Sequence, residues 1–290
     1  LLGMVDVPEE QRLRELRWFA PGHGHLALIG GGAAGMPTGP AEALEQVVDR
    51  ILDDAAESHL YILDADGSLH GAAASPRVGA WAGAHELRRA VRVLERLAEE
   101  VHSRLVPAGA SDAPALVLVI ENWGSWVSAF RAGPLAWAED LVHDIIRDGP
   151  AAGVAAVVSG ARELVAARFF AALPNRIFFP GGTTEEGRYG WPRLPDLPPI
   201  PGRVAVTGPF AETAPHAAQL YEPPASGSGP RPIGFPGERP AVRPFRIEPL
   251  PVRVTVAEVR ARIGPASVYP APPAKGAMSR FFVLAAAAAL

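Results

Sequence analysis

The chain has 290 residues, 48% of them apolar, a formal net charge of −4 and no cysteine. That is enough apolar material for one large domain, or one domain with a tail, around a full core. The acidic balance excludes a global basic field for nucleic acid, and the lack of cysteine excludes disulfides and thiolate metal sites. The single lysine is Lys275, and arginine supplies nearly all other positive charge. No apolar run reaches membrane-spanning length. Leu1-Leu2-Gly3 lacks the charged region of a secretory signal. The missing initiator Met is what a piece of a longer protein would show.

In chain order, residues 1–24 form a leading segment in which 11–19 alternates charged and apolar residues, as an edge strand does. Leu26-Ala27-Leu28-Ile29 reads as a buried strand. The run Gly30-Gly31-Gly32-Ala33-Ala34-Gly35-Met36-Pro37 follows, and then a helix over 41–54 with Leu44, Val47, Val48 and Ile51 at helical spacing. Strand, glycine-rich turn and helix are the parts of a phosphate loop, G-x-x-x-x-G-K-[ST]. Gly30 and Gly35 keep the spacing, but Met36 stands in the lysine position and Pro37 in the hydroxyl position. The lysine of such a loop reaches the β/γ-phosphates and the hydroxyl holds magnesium. Proline also removes one backbone donor. The pattern therefore reads as a phosphate cradle that has lost its hydrolytic side chains. An ordinary glycine-rich turn is the alternative.

A second strand over 60–63 ends at Asp64 and the turn Ala65-Asp66-Gly67. A long amphipathic helix covers 84–105, with Leu87, Val91, Leu94, Leu97 and Val101 as its apolar stripe. The third strand, 115–120, is the most apolar and runs into Glu121-Asn122-Trp123-Gly124. A helix over 135–147 meets Asp148-Gly149, and a fourth strand over 154–158 leads to Ser159-Gly160-Ala161-Arg162 and a helix to about residue 172. Residues 176–179 form a fifth strand, and 203–207 and 219–222 read as further strands at the sheet edge. Apolar strands alternating with amphipathic helices predict a parallel sheet covered on both faces. Ligands of such sheets bind at the carboxyl ends of the strands. That rim would carry Gly30, Asp64, Glu121 and Ser159. After residue 222 the composition becomes rich in Pro, Gly and Ser through 243, a linker signature. Residues 244–254 look extended, and a short helix is expected over 256–263.

The candidate site residues each carry two readings. Glu121 at a strand end either holds magnesium or polarises water, or is an acidic group left at the rim. Arg162 is either a sensor for a γ-phosphate or a solvated residue at a helix start. Asp64 and Asp66 either bind a cation or cap a turn. His23 and His25 share one face of an extended segment, but no third ligand is indicated, so no metal site is assigned. Ser159 has no partnered His and Asp pattern, so no hydrolase triad is assigned. Trp123, Trp126 and Phe130 either form a docking surface or pack into the core.

The order of these parts resembles that of FtsK/SpoIIIE-type ATPase modules, and most closely the tandem modules of EccC, the type VII secretion ATPase of actinobacteria. The resemblance rests on Leu2-Gly3-Met4-Val5-Asp6-Val7-Pro8 with Gln11 and Trp18, on Gly24 to Gly30, and on Tyr61-Ile62-Leu63-Asp64 with Pro76-Arg77-Val78-Gly79. It rests also on Leu118-Val119-Ile120-Glu121-Asn122-Trp123-Gly124, similar to a Walker B strand with Glu121 where aspartate is usual. The segment 153–162 is similar to a sensor strand. Pro201-Gly202-Arg203 and the run 243–251 resemble a module's end and the linker to the next. The match covers roughly residues 1–255, and order and spacing carry it more than any single motif.

The resemblance implies an α/β fold, a RecA-like P-loop NTPase three-layer fold with a mainly parallel central sheet. It implies a P-loop domain over 1–222, a linker over 223–243 and a C-terminal segment over 244–290 leading toward a following module. The expected function is that of a degenerate, EccC-like module with a structural, regulatory or substrate-docking role. The alternatives are a living ATPase or a DNA-translocase module. No cofactor is required, with ATP and magnesium binding weak or lost. Expected partners are other ATPase modules of the motor and a secreted protein's signal peptide, on the cytoplasmic face of a membrane-anchored complex. Nucleic acid is not expected, nor membrane insertion by this chain.

Overall fold

The computed structural model describes residues 1–31, 39–54, 58–106, 113–198, 200–211, 214–221, 241–249, 253, 255, 256 and 258. The chain divides into two units, Leu1–Glu248 and Pro249–Leu290. In the second, Thr255 and Glu258 form a reciprocal helix-start motif. The Glu258 N–H donates to Thr255 Oγ1, and the Thr255 N–H donates to Glu258 Oε2 at 2.7 Å.

The first unit opens with β1 (Gly3–Val7), β2 (Arg12–Leu16), the one-turn helix α1 (Ala20–His23) and β3 (Leu26–Ile29). Next come α2 (Pro40–Asp53), β4 (Ser58–Asp64), β5 (Val78–Gly83) and α3 (Leu87–Leu105). Then follow β6 (Ala115–Ile120), α4 (Trp123–Arg131), α5 (Ala138–Asp148), β7 (Val154–Gly160) and α6 (Arg162–Val165). The unit's strands end with β8 (Asn175–Phe178), β9 (Arg203–Thr207) and β10 (His216–Leu220).

All ten strands form one sheet, in the order β2-β1-β10-β9-β8-β3-β7-β6-β4-β5. From β8 through β5 every pairing is parallel; from β8 through β2 every pairing is antiparallel. The parallel strands are buried on both faces, so they read as unbroken apolar runs. Successive side chains go to opposite cores. Ala27, Ile29, Tyr61, Leu63, Leu118 and Ile120 pack on one face with residues of α3, α4, α5 and α6. Leu26, Leu28, Leu60, Ile62, Val117 and Val119 pack on the other with α2 and the leading segment. This is the expected three-layer arrangement with parallel strands at its centre.

Several sequence expectations need correction. β1 was not anticipated, and it places β9 and β10 inside the sheet rather than at its edge; β2 is the edge. The segment from Pro76 to Gly79 runs into a strand, β5. Its Ala80 and Ala82 pack into one core and Val78 into the other, and so short a run of small residues gives little hydrophobic signal. The helix expected to reach residue 172 is the single turn α6, followed by a 3-10 turn at Phe170–Ala172. α4 is an additional helix.

Residues 241–248 pack against side chains of β4 and α3 and bond Gly79 of β5. The Phe245 ring stacks on Tyr61 at 4.2 Å between centroids, with the Arg96 guanidinium 4.8 Å from its centre. Arg89 donates to Ile247 O and Arg92 to Glu248 O, and the Ile247 N–H reaches Gly79 O. A side chain at Gly79 would collide with both Tyr61 and Phe245 O, so glycine permits this close approach. Among the described residues no helix is long and apolar enough to cross a membrane.

On the opposite edge of the parallel region, Asn175 is fully buried and ties three segments together. Its Nδ2 donates to His23 O and His25 O at 2.6 and 2.8 Å, and its Oδ1 accepts from the Phe210 N–H at 3.0 Å. Asn175→Ala leaves buried backbone groups unpaired and is expected to lower unfolding free energy by at least about 2 kcal/mol in urea. A loss below about 0.5 kcal/mol would contradict this role.

Candidate functional site

The candidate site is the carboxyl rim of the parallel strands. β3 ends at Ile29 and α2 begins at Pro40, so Gly30 and Gly31 leave a strand on the way to a helix. Gly32, Ala33, Ala34, Gly35, Met36 and Pro37 lie outside the described residues. The two described members of the cradle both have committed amides. The Gly30 N–H donates to Gly160 O at 3.0 Å, and the Gly31 N–H to Thr183 Oγ1 at 2.9 Å. Thr183 Oγ1 in turn donates to Phe179 O at 2.7 Å. A Cβ at Gly30 would sit 2.8 Å from Phe179 Cβ, so this glycine serves close packing of β3 against the β8 exit. α2 starts with the Gly39 N–H donating to Glu42 Oε2 at 2.9 Å.

Glu121 follows β6 and is 2% exposed. Its Oε2 accepts from the Ala65 and Asp66 N–H groups at 3.0 and 3.1 Å, so it holds the turn after the neighbouring β4. Burial, and then the charge of Asp66, push its carboxyl up to about 7. The two amide bonds favour the ionised form and oppose that rise. Asp64 is fully buried and caps the same turn. Oδ1 accepts from the Gly67 N–H, and Oδ2 accepts from the Leu69 N–H and from Trp81 Nε1 at 2.8 Å. The turn-capping alternative for Asp64 is the one the structure shows.

Ser159 on β7 accepts from the Asn122 N–H at 2.9 Å, which holds Asn122 at a φ of +52° at the start of α4. Arg162 opens α6 two residues past β7, exposed, with no side-chain partner among the described residues. The sequence places Gly30, Asp64, Glu121 and Ser159 at this rim, and in the structure they stand at or beside the carboxyl ends of β3, β4, β6 and β7, with Gly31 and Arg162 just beyond β3 and β7. The aromatic cluster does not join them. Trp123, Trp126 and Phe130 are at most 2% exposed and form the inner face of α4. The two histidines also have other work. His23 Nδ1 accepts from the Phe19 N–H. His25 Nδ1 accepts from the Ala156 N–H, so its Nε2 carries the proton and donates to Ile146 O at 2.8 Å. Burial lowers the His25 pKa and keeps the ring neutral.

Sequence reading missed Thr183 and Trp81, which fix the rim from outside the motifs. Nothing local marks them, since each acts across strands that are distant in sequence.

No protein-family model matches the chain, and no curated protein matches it in sequence. Solved structures do match in fold. EssC (ATPases 2 and 3) from Geobacillus thermodenitrificans aligns with a TM-score of 0.67 at 18% identity, over 95% of this chain and 55% of that one. Thermomonospora curvata EccC (ATPases 2 and 3), in complex with a signal sequence peptide, aligns with 0.57 at 20% identity, over 78% and 43%. The cytoplasmic domain of the Thermomonospora curvata type VII secretion ATPase EccC aligns with 0.60 at 18%, over 87% and 32%. The chain therefore spans about half or less of the length of these proteins.

The raised Glu121 pKa has a testable sign. An unfolded glutamate titrates near 4.3. Between there and about pH 7 the folded state holds the extra proton, so this group's contribution to stability is full below the unfolded value and is lost as pH rises through about 7. Glu121→Gln keeps an acceptor for the two amides and abolishes the titration. Relative to the parent, it should gain stability between about pH 5 and about pH 8 in urea unfolding. A constant or opposite difference would contradict a desolvated carboxylate. The rim stands on a mainly parallel sheet layered on both faces, and the chain shares the α/β fold of the EssC and EccC structures.

Proposed function

We propose that the chain is a catalytically degenerate, EccC-like module of a type VII secretion motor, with a structural, regulatory or substrate-docking role. The observation that supports this best is the state of the carboxylate at the Walker B position. Glu121 Oε2 is engaged by two backbone amides, and its burial favours the protonated form. An oxygen already held by two backbone amides, on a carboxyl that has lost about half its charge near pH 7, is a weaker magnesium ligand than a free carboxylate. The neighbouring Asp64 is bound through both oxygens. The sequence adds Met36 and Pro37 where lysine and a hydroxyl belong.

On this reading no cofactor is required, and ATP with magnesium binds weakly or not at all through Gly30 to Pro37. Each lost charge-assisted contact is worth roughly 1.5–3 kcal/mol. Two together weaken binding by on the order of a hundredfold or more. The partners are other ATPase modules of the same motor. A secreted protein's signal peptide is a further partner on this reading, by analogy with the peptide-bound EccC neighbour. The module would work on the cytoplasmic face of a membrane-anchored complex.

The second reading is an active or weakly nucleotide-binding FtsK-type ATPase or DNA-translocase module. The exposed Arg162 at the rim, which has no side-chain partner among the described residues, is what favours it. Two measurements separate the readings. Magnesium-dependent ATP turnover is expected at background, and calorimetric titration with magnesium and ATP is expected to be silent. Robust turnover, or micromolar affinity abolished by Arg162→Ala, would establish the second reading. A gel shift at low salt, where non-specific DNA binding is strongest, is expected to show none.

A further inference from the structure

Described residues of the connection from β8 to β9, with Arg203 at the start of β9, line an open cavity of about 520 Å³. Pockets of this size hold ligands or anchor side chains of a partner. Connections this long without strand or α-helix are commonly binding loops. This one is held in shape. Arg188 Nη2 donates to Pro180 O at 2.6 Å, the Trp191 N–H to Arg188 O, and the Arg203 N–H to Ile200 O. Several prolines in the wall restrict the backbone further, which lowers the ordering cost of binding.

The wall carries three guanidinium groups, Arg188, Arg193 and Arg203, against one carboxylate, Asp196. None of the three has a carboxylate partner among the described residues. Elsewhere Arg89 pairs with Glu86, Arg104 with Glu100, Arg131 with Glu139 and Arg147 with Asp144, whereas Arg162 and Arg176 have no carboxylate partner among the described residues. A net-acidic chain has thus gathered unpaired positive charge in one concavity. Apolar surface adjoins the charge. Ile200 in the wall is 45% exposed, and Tyr189, next to Arg188 in the same connection, is 78% exposed. Arginine and tryptophan around a concavity are residues enriched in interface hot spots.

We infer that this cavity docks an acidic peptide segment, whose carboxylates pair with Arg188, Arg193 and Arg203 while an apolar residue rests on Ile200 and Tyr189. Carboxylates suit the guanidinium forks, and the apolar rim favours a peptide over a bare phosphate. The inference does not rest on the secretion-motor reading.

The test uses the full chain and a fluorescein-labelled pentapeptide of four glutamates around one leucine, read by fluorescence anisotropy. Saturable binding that weakens as salt is raised is expected. Arg193→Glu reverses an exposed charge with no internal partner, and is expected to weaken binding by about tenfold or more. Tyr189→Ala is expected to weaken it by a smaller factor. Arg50→Glu, an exposed arginine on α2, is expected to leave it unchanged. Unfolding midpoints of the variants show whether each remains folded. The inference fails if no saturable binding occurs at low salt, or if Arg50→Glu and Arg193→Glu weaken binding equally. It fails too if inorganic pyrophosphate competes with arginine-dependent affinity while an uncharged leucine peptide of the same length binds as well as the acidic one.

Discussion

A strand buried on both faces ends with polar backbone that no neighbouring strand satisfies, and every such group must find a partner. This constraint governs the rim. The turn after β4 is held by Asp64 and by Glu121 from β6. The start of α4 is held by Ser159 from β7. The exit of β3 is held by Gly160 O and Thr183, and Asn175 fixes its approach. Asp64 caps its own strand's turn, while Glu121, Ser159, Gly160 O and Thr183 each reach to a neighbouring strand's exit, so together they knit the carboxyl ends of β4, β6, β7, β3 and β8.

That arrangement sets stability against chemistry. A phosphate site needs amides and carboxylates with unused hydrogen-bonding capacity, aimed at the ligand. Here the described amides of the glycine run and the rim carboxylates serve the scaffold instead. The proposal of a degenerate module is the functional expression of that allocation. It accounts for tolerance of Met36 and Pro37 in the sequence, because a rim that is not binding a triphosphate has no use for lysine there.

Much of this was legible in the sequence, for physical reasons. Strands such as 26–29 and 115–120 are apolar throughout because both faces are buried, and α3 shows its stripe because only one face is. Glu121, Asp64 and Ser159 could be placed on the rim because strand ends are marked by the first polar residue. What they do there was not legible. Choosing between cation ligand and turn cap for Asp64 required the partners Gly67, Leu69 and Trp81. β1 and β5 escaped notice because a short mixed pattern and a small-residue strand leave weak periodicity. The arginine cavity escaped too, since Arg188, Arg193 and Arg203 converge only when β9 folds back against β8.

The segment 241–248 has a bearing on how the protein can be handled. It lies over side chains of β4, and Phe245 covers the Tyr61 ring. A fragment ending at residue 222, where composition alone invites a cut, would leave that aromatic surface bare. Uncovered apolar surface of this kind recruits other chains. Fragments meant to stay monodisperse should therefore run through Glu248, and clumping of shorter ones would reflect a stripped flank rather than a defective fold.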